Sequence, residues 1–358
     1  MSKSSFSASR LDLIAKTFYS EAVEKAFTQG VVDPLPPGNI SMESRERGGM
    51  YARWRRIGPG GKPLAPQYLG PEGGDRHLEA IASYDELSSI ARSAKVLRDF
   101  GFATEDNLSA VTLAAFHNAG VFSGGGVLVG TRAFRCLTNY LGFKVRPVLT
   151  TQDIDIARGD RIALALPFPK GGMHEFLKQT GLQFSEVPGL DHRTPATAWK
   201  VRGRELKVDL LVPGAYSSKP YQSIEIPELG AYATSLPGLK YLISGSIGTI
   251  SIGKTQLVPV RVPTPGRFLW HKIAVSTMRP AALRSKAEKD LIQAACLAAC
   301  MIESDSDELY TAVDKMPKWM RNRVENAFPH FVRQFGDSHR DVVELMADCV
   351  GISLTDML

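Results

Sequence analysis

A chain of 358 residues can bury a sizeable core and divide into two or three domains, and its 44% hydrophobic and 22% charged residues lead one to expect a soluble globular protein. No apolar run approaches the ~20 residues that span a bilayer, so no membrane association is expected, and residues 1–7 lack the apolar core of a secretory signal, so a cytoplasmic location is expected. The formal net charge of +6 suits polyanionic partners such as nucleotides or RNA without identifying one.

Along residues 1–32, Leu11, Leu13, Ile14, Phe18, Ala22 and Phe27 recur at roughly helical spacing and Gly30 stops the pattern, which predicts an amphipathic packing helix. Residues 33–42, with Pro34, Pro36, Pro37 and Gly38, predict a turn or linker. The run 45–56 then sets five arginines around Tyr51 and Trp54. Arg53, Trp54, Arg55 and Arg56 are candidate nucleic-acid contacts, because guanidinium groups grip phosphates and aromatic faces stack on bases. The same pattern equally describes a strand with locally paired charges and inward aromatics. Residues 62–76, rich in Pro and Gly, read as an ordered loop anchored by Tyr68 and Leu69.

Helical patterns cover 78–100 and 106–119, with Gly101 as the stop between them, and His117 near the second helix end reads as an ordinary structural or surface histidine. Gly124-Gly125-Gly126 fits neither GxGxxG nor GxxxxGK[ST] and is set aside as a phosphate loop. The better grip is Gly130-Thr131. It lies between an apolar strand, 127–129, and a helix over 132–141 carrying Phe134, Leu137 and Leu141. The first N–H groups of a helix lack internal partners and sit at the positive end of its dipole, so such a start binds anions.

In Asp153-Ile154-Asp155-Ile156, a period-two strand puts both acids on one face and both isoleucines on the other. Further on, 162–166 predicts a strand or short helix, 173–180 a helix, 184–187 a strand, and 198–201 with 206–211 a hairpin around Arg202-Gly203-Arg204. Asp209 is an acid inside the second arm; Asp160, Glu175, Glu186, Asp191 and Glu205 are its competitors for a third acidic role. Residues 239–250 read as helix or strand, 257–262 as a strand, and 263–272 as a boundary. Helices are expected over 281–301, 308–315, 318–328 and 340–349. The divisions are therefore 1–105 (helices and a basic loop), 106–262 (a mixed centre that holds the strand acids) and 263–358 (helical). Lys272, Arg279, Lys286 and Lys289 form a basic group that reaches phosphates or is simply solvated, with Lys272 and Lys286 the first choices. Cys136, Cys296, Cys300 and Cys349 contain no CxxC pair. Cys296 and Cys300, one turn apart among alanines, predict a buried helix face rather than a zinc site.

Three strand acids after a Gly-Thr turn suit hard divalent ions, and Mg²⁺ (or Mn²⁺) takes one or two carboxylates together with substrate phosphates. Two such ions can hold a nucleoside triphosphate and activate an attacking hydroxyl. The arrangement resembles the DNA polymerase beta-like nucleotidyltransferase superfamily, whose signature is a small-residue turn, an Asp-x-Asp and a later strand acid. More closely, 128–134, 151–155 and Arg267-Phe-Leu-Trp-His-Lys272 resemble the bacterial nucleotidyltransferase-fold proteins, from the Met50-Tyr51 and Tyr68-Leu69-Gly70 region through Lys286 and Asp290.

The resemblance implies an α+β fold: a mixed sheet with helices on one side, an N-terminal helical segment and a C-terminal helical domain. It implies that Gly130 and Thr131 hold the triphosphate of ATP or another NTP; Arg132, Lys272 and Lys286 are further candidate nucleotide contacts. Asp153 and Asp155 would ligate two metal ions, and Asp209 would complete the second site and help deprotonate the acceptor. Thr131 stands where serine is commoner but keeps the hydroxyl. The 22 residues between Gly130 and Asp153 exceed those of minimal members, consistent with an insertion over 142–149. The expected activity is transfer of NMP to a hydroxyl of RNA, protein or a small molecule. The resemblance also suggests a toxin or defence role and an antitoxin-like partner. The alternative is a catalytically silent nucleotide- or RNA-binding module on the same fold, which would bind RNA in a salt-sensitive way indifferent to loss of the acids.

Overall fold

The computed structural model describes residues 6–44, 49–146, 151–164, 168–188, 194–216, 221–304 and 306–354. Asp12 splits the expected first helix: its carboxylate accepts the Ala15 N–H at 2.7 Å, so a strand, β1 (Ser7–Arg10), precedes helix α1 (Leu13–Thr28). The buried stripe of α1 is Ala15, Tyr19, Ala22 and Ala26, whereas Leu13, Ile14 and Phe27 are exposed. Small residues let the helix lie close to its neighbours, and that proximity decides which face turns inward.

The expected linker over 33–42 runs into a strand. β2 (Asn39–Ser44), β3 (Met50–Arg55) and β4 (Gln67–Pro71) form an antiparallel sheet, so the loop expected over 62–76 also carries a strand. Ala52, Trp54 and Leu69 of this sheet pack with Ala80 of α2 (Asp75–Phe100), which ends at Gly101 in the left-handed region. Helix α3 (Asn107–Asn118) is capped by Asp106, and His117 lies 2.9 Å from the Gly30 carbonyl, in a structural role.

Next come β5 (Val127–Val129), α4 (Gly130–Leu141) and β6 (Phe143–Arg146), which pairs with β1. The chain continues through β7 (Asp153–Ala157), α5 (Gly172–Lys178), β8 (Phe184–Glu186), β9 (Ala198–Val201) and β10 (Lys207–Gly214). Residues 162–164 adopt no regular structure; 165 and 166 lie outside the described residues. The predicted hairpin is β9 and β10, turning at Gly203 with φ +69°.

β11 (Ser223–Ile226) and β12 (Ala231–Pro237), unread in the sequence, extend the sheet before α6 (Leu239–Ile243) and the hairpin of β13 (Ser246–Ile252) and β14 (Leu257–Pro263). The back of the molecule is α7 (Pro265–Ser276), α8 (Arg284–Ile302), α9 (Asp307–Asp314), α10 (Lys318–Phe335) and α11 (Arg340–Val350). Helix α10 runs on past the expected end at 328, through Pro329.

The central sheet is mixed, ordered β11-β12-β10-β7-β5, with β9 on the first half of β10 and β8 on β9. β7, β10 and β12 are mutually parallel and the other pairs antiparallel. One apolar cluster joins Val208 and Leu210 of the sheet to Phe268, Trp270 and Leu297 of the back helices, so the boundary at 263 is a change of element type within a shared core. Cys296 and Cys300 are fully buried on α8 as expected, where burial pushes both thiols up. No helix among the described residues is long and apolar enough to cross a membrane.

Candidate active site

Strand alternation builds the site. β7 and β10 run in register, with Asp155 opposite Asp209 and Asp153 opposite Lys207. Ile154, Ile156, Val208, Leu210 and Val212 are buried on one face, so Asp153, Asp155, Lys207 and Asp209 share the other. On the opposite edge of β7, Val129 of β5 faces Asp155, and the chain leaves the sheet for α4 beside that carboxylate. Gly130 makes the exit with φ +70°, and a Cβ there would overlap the Asp155 carboxylate. Only glycine fits both constraints.

A cavity of about 430 Å³ opens over this face. Gly130 and Thr131 line it together with Asp153, Asp155 and Asp209, and Lys272, Arg279, Lys286 and Lys289 contribute to its wall. Helix α7 presents Phe268, His271, Lys272 and Val275, spaced at helical intervals along one face, to the same space.

The acids crowd one another. Burial, and then the neighbouring Asp209 and Asp153, push the Asp155 carboxyl up to about 7. Burial also raises Asp209, against the pull of Lys207, whose Nζ lies 2.8 Å from Asp209 Oδ1. For Lys207 burial works downward, but the hydrogen bond to Asp209 and the three carboxylates outweigh it and hold the ammonium above its usual range. The Thr151 hydroxyl sits 3.2 Å from Asp153 Oδ2. Among the described residues no group of three or more His, Cys, Asp and Glu side chains is gathered in a way that could hold a metal ion by itself.

The cationic wall is held in place by Asp290. Lys272 Nζ donates to its Oδ1 at 2.7 Å, and Arg279 donates to Oδ2 through Nε at 3.1 Å and Nη2 at 3.0 Å. Burial alone would raise Asp290, but these two cations outweigh it and hold the carboxyl below its ordinary range. Thr131 Oγ1 accepts a hydrogen bond from Gln293 Nε2 of α8 at 3.2 Å, which ties the start of α4 to the back helices. Burial, with the adjacent Lys272, holds His271 neutral, its pKa pushed down to about 3.

Arg132, expected to touch the nucleotide, does not line the cavity. Its guanidinium is buried, ion-paired with Glu105, and donates to the backbone carbonyls of Asp153 at 2.8 Å and Thr151 at 3.2 Å. Burial pushes its pKa down to about 10. It therefore anchors the start of β7 rather than presenting charge to solvent.

The basic run is likewise spent on local structure. Trp54 is buried and its indole N–H donates to the Pro37 carbonyl at 2.6 Å, so it has no face free for a base. Arg56 forks onto Asp33 at 2.7 and 2.8 Å and lies over the Trp54 ring, while Arg53 and Arg55 pair with Glu43 at 3.3 and 2.6 Å. None of the four lines the cavity. Arg45, Arg47, 147–150 and Asp191 lie outside the described residues.

Among the competing acids, Glu175 and Glu205 pair with Lys178 and Lys200, and Asp160 and Glu186 are exposed; none lines the cavity that Asp209 shares with Asp155. Lys207, Thr151, His271, Gln293 and the clamp role of Asp290 went unread in the sequence. Only Lys207 carried a readable signal, two residues before Asp209 on a period-two strand.

A family model described as nucleotidyltransferase matches residues 107–317 of the chain. No curated protein and no solved structure matches it.

Proposed function

The chain belongs to the nucleotidyltransferase family, and we propose that it transfers a nucleoside monophosphate from an NTP, such as ATP, to a hydroxyl group, with Mg²⁺ or Mn²⁺ held at the acid cluster. The observation that carries this reading is the meeting of Asp153, Asp155 and Asp209 with the Gly130-Thr131 helix start in one cavity whose far wall is cationic. The residues suit a hard divalent ion: every donor is a carboxylate oxygen, and burial together with the neighbouring Asp209 and Asp153 pushes the Asp155 carboxyl up to about 7, a cost of negative charge that a cation relieves. Asp153 and Asp155 would ligate both ions and Asp209 the second.

When bound, the ions neutralise the triphosphate and lower the pKa of the acceptor hydroxyl. The protein's own groups do the rest. The N–H groups of Gly130 and Thr131 hold the terminal phosphates. Asp209 orients the acceptor and takes up its proton as the acceptor oxygen attacks the α-phosphorus. The bond to the β-phosphate oxygen breaks, and pyrophosphate departs toward Lys272, Arg279, Lys286 and Lys289, which balance its charge.

The acceptor belongs to RNA, protein or a small molecule. Acting on RNA or protein, the activity would serve as a toxin or in defence; growth arrest on expression, relieved by Asp155→Asn, is the expected sign. The direct test is incubation with labelled NTPs and Mg²⁺. Asp153→Asn and Asp155→Asn are expected to lose at least ~100-fold in label transfer without losing the folded state. Label transfer by these variants equal to that of the unaltered protein would end the proposal.

A further inference from the structure

Lys207 has no place in the reaction as derived above, yet it stands within the acid cluster. It faces Asp153 across the β7–β10 ladder, shares its face with Asp209, and lines the cavity with its ammonium 2.8 Å from Asp209 Oδ1. An exposed lysine that close to an acid is worth little. This one is half-buried, with three carboxylates around it and its side chain only a third exposed.

We infer that Lys207 is a resident counter-ion of the acid cluster, occupying the Asp209 oxygen in the metal-free protein and leaving it when the second divalent ion arrives. The inference rests on the metal-dependent reading above and concerns this chain's own side chain. A carboxylate oxygen hydrogen-bonded to an ammonium at 2.8 Å must give up that bond before it ligates an ion, so the lysine and the ion compete. Two consequences follow. Lysine keeps the like charges of β7 and β10 tolerable while no ion is bound, and it raises the ion concentration needed to fill the second site. The chain geometry permits the exchange, because four methylenes and a partly exposed head allow the ammonium to swing toward solvent without moving β10.

The test is Mn²⁺ binding to the full chain without nucleotide, followed by the electron paramagnetic resonance of free Mn²⁺, for the unaltered protein, Lys207→Met, Lys207→Arg and Asp155→Asn. Lys207→Met keeps the length and removes the charge. It is expected to bind Mn²⁺ about tenfold more tightly, to melt at a lower temperature without metal, and to gain more in melting temperature on adding Mn²⁺ than the unaltered protein does. Lys207→Arg, which keeps the charge, is expected to stay within about threefold of the original affinity. Affinity in Lys207→Met that is unchanged or weaker overturns the inference, even if that variant is less stable, because a merely structural lysine would alter stability and leave affinity alone. If the unaltered protein binds Mn²⁺ no better than Asp155→Asn, the metal-site reading fails and this inference falls with it.

Discussion

Gly130 is where the chemistry of a single residue decides the most. Its backbone has φ +70° and any Cβ would meet the Asp155 carboxylate, so Gly130→Ala faces strain and overlap together. The substitution is expected to cost ~1–3 kcal/mol in a urea unfolding curve and to lower label transfer by more than tenfold, because the helix start and the acid must separate. At the same scale, Asp290 holds both Lys272 and Arg279, so Asp290→Asn is expected to weaken NTP binding by loosening the cationic wall. A titration of nucleotide affinity against the unaltered protein checks this, and unchanged affinity would assign the clamp to stability alone. The acids and Gly130 were legible because each depends on a local rule: period two on a strand, and a glycine between strand and helix. Asp290 was illegible as a clamp, because its partners lie 18 and 11 residues away, Lys272 on α7 and Arg279 in the connection to α8, and no spacing rule links them.

Two elements carry arginines whose sequence suggested a ligand and whose structure shows a scaffold. Arg132 of α4 reaches across to hold the start of β7 and is ion-paired with Glu105 in the interior. Removing one partner leaves an uncompensated buried charge, so Glu105→Gln is expected to destabilise by ~3–5 kcal/mol. The double variant Arg132→Met with Glu105→Leu is expected to lose clearly less than the sum of the single losses in thermal or denaturant unfolding. Immediately after β3, Arg56 fastens onto Asp33 and the Pro36 and Leu35 carbonyls. Arg56→Ala should therefore lower stability while leaving label transfer per folded molecule unchanged. RNA binding that falls with Arg56 while stability does not would instead restore the nucleic-acid role. The run over 45–56 was ambiguous in sequence because alternating arginine and aromatic residues suit an interface and a small sheet alike. Glu43 and Asp33, which pair with these arginines, are contributed by neighbouring segments.

At the scale of the whole molecule, burial and like charge make stability depend on pH. Asp155 has its folded pKa pushed up to about 7 from an ordinary 3.8, so between those values the folded state binds the extra proton. Stability from this group is accordingly present at low pH and lost as pH rises toward 7. His271, held down to about 3, acts in the opposite sense, with stability lost as pH falls below its ordinary 6.5. The difference in melting temperature between the metal-free protein and Asp155→Asn isolates the first effect. Relative to that variant, the unaltered protein is expected to lose stability from about pH 4 to pH 7, and saturating Mn²⁺ is expected to recover the loss at pH 8. A difference that does not vary with pH would show that burial and the neighbouring acids do not raise the Asp155 carboxyl in solution.

By itself the sequence determined the parts that depend on neighbours in the chain: the strand acids, the Gly-Thr helix start, the β9–β10 hairpin, the helical back and the buried cysteines. It left open which side chains meet. β11, Ser-Ile-Glu-Ile, alternates over only four residues, and β12, Ala-Tyr-Ala-Thr-Ser-Leu-Pro, mixes small and polar residues without a clear apolar face, so both were unread. The packing face of α1 was misplaced because Leu13 and Ile14 obey helical spacing as well as Ala15 and Tyr19 do, and only the neighbouring elements choose between the two stripes. The tertiary structure alone decided that Asp209 stands beside Asp155, that Lys207 joins them, and that Arg132 turns away. Each of these is fixed by strand register or by burial across long stretches of chain, and neither quantity is encoded in local spacing.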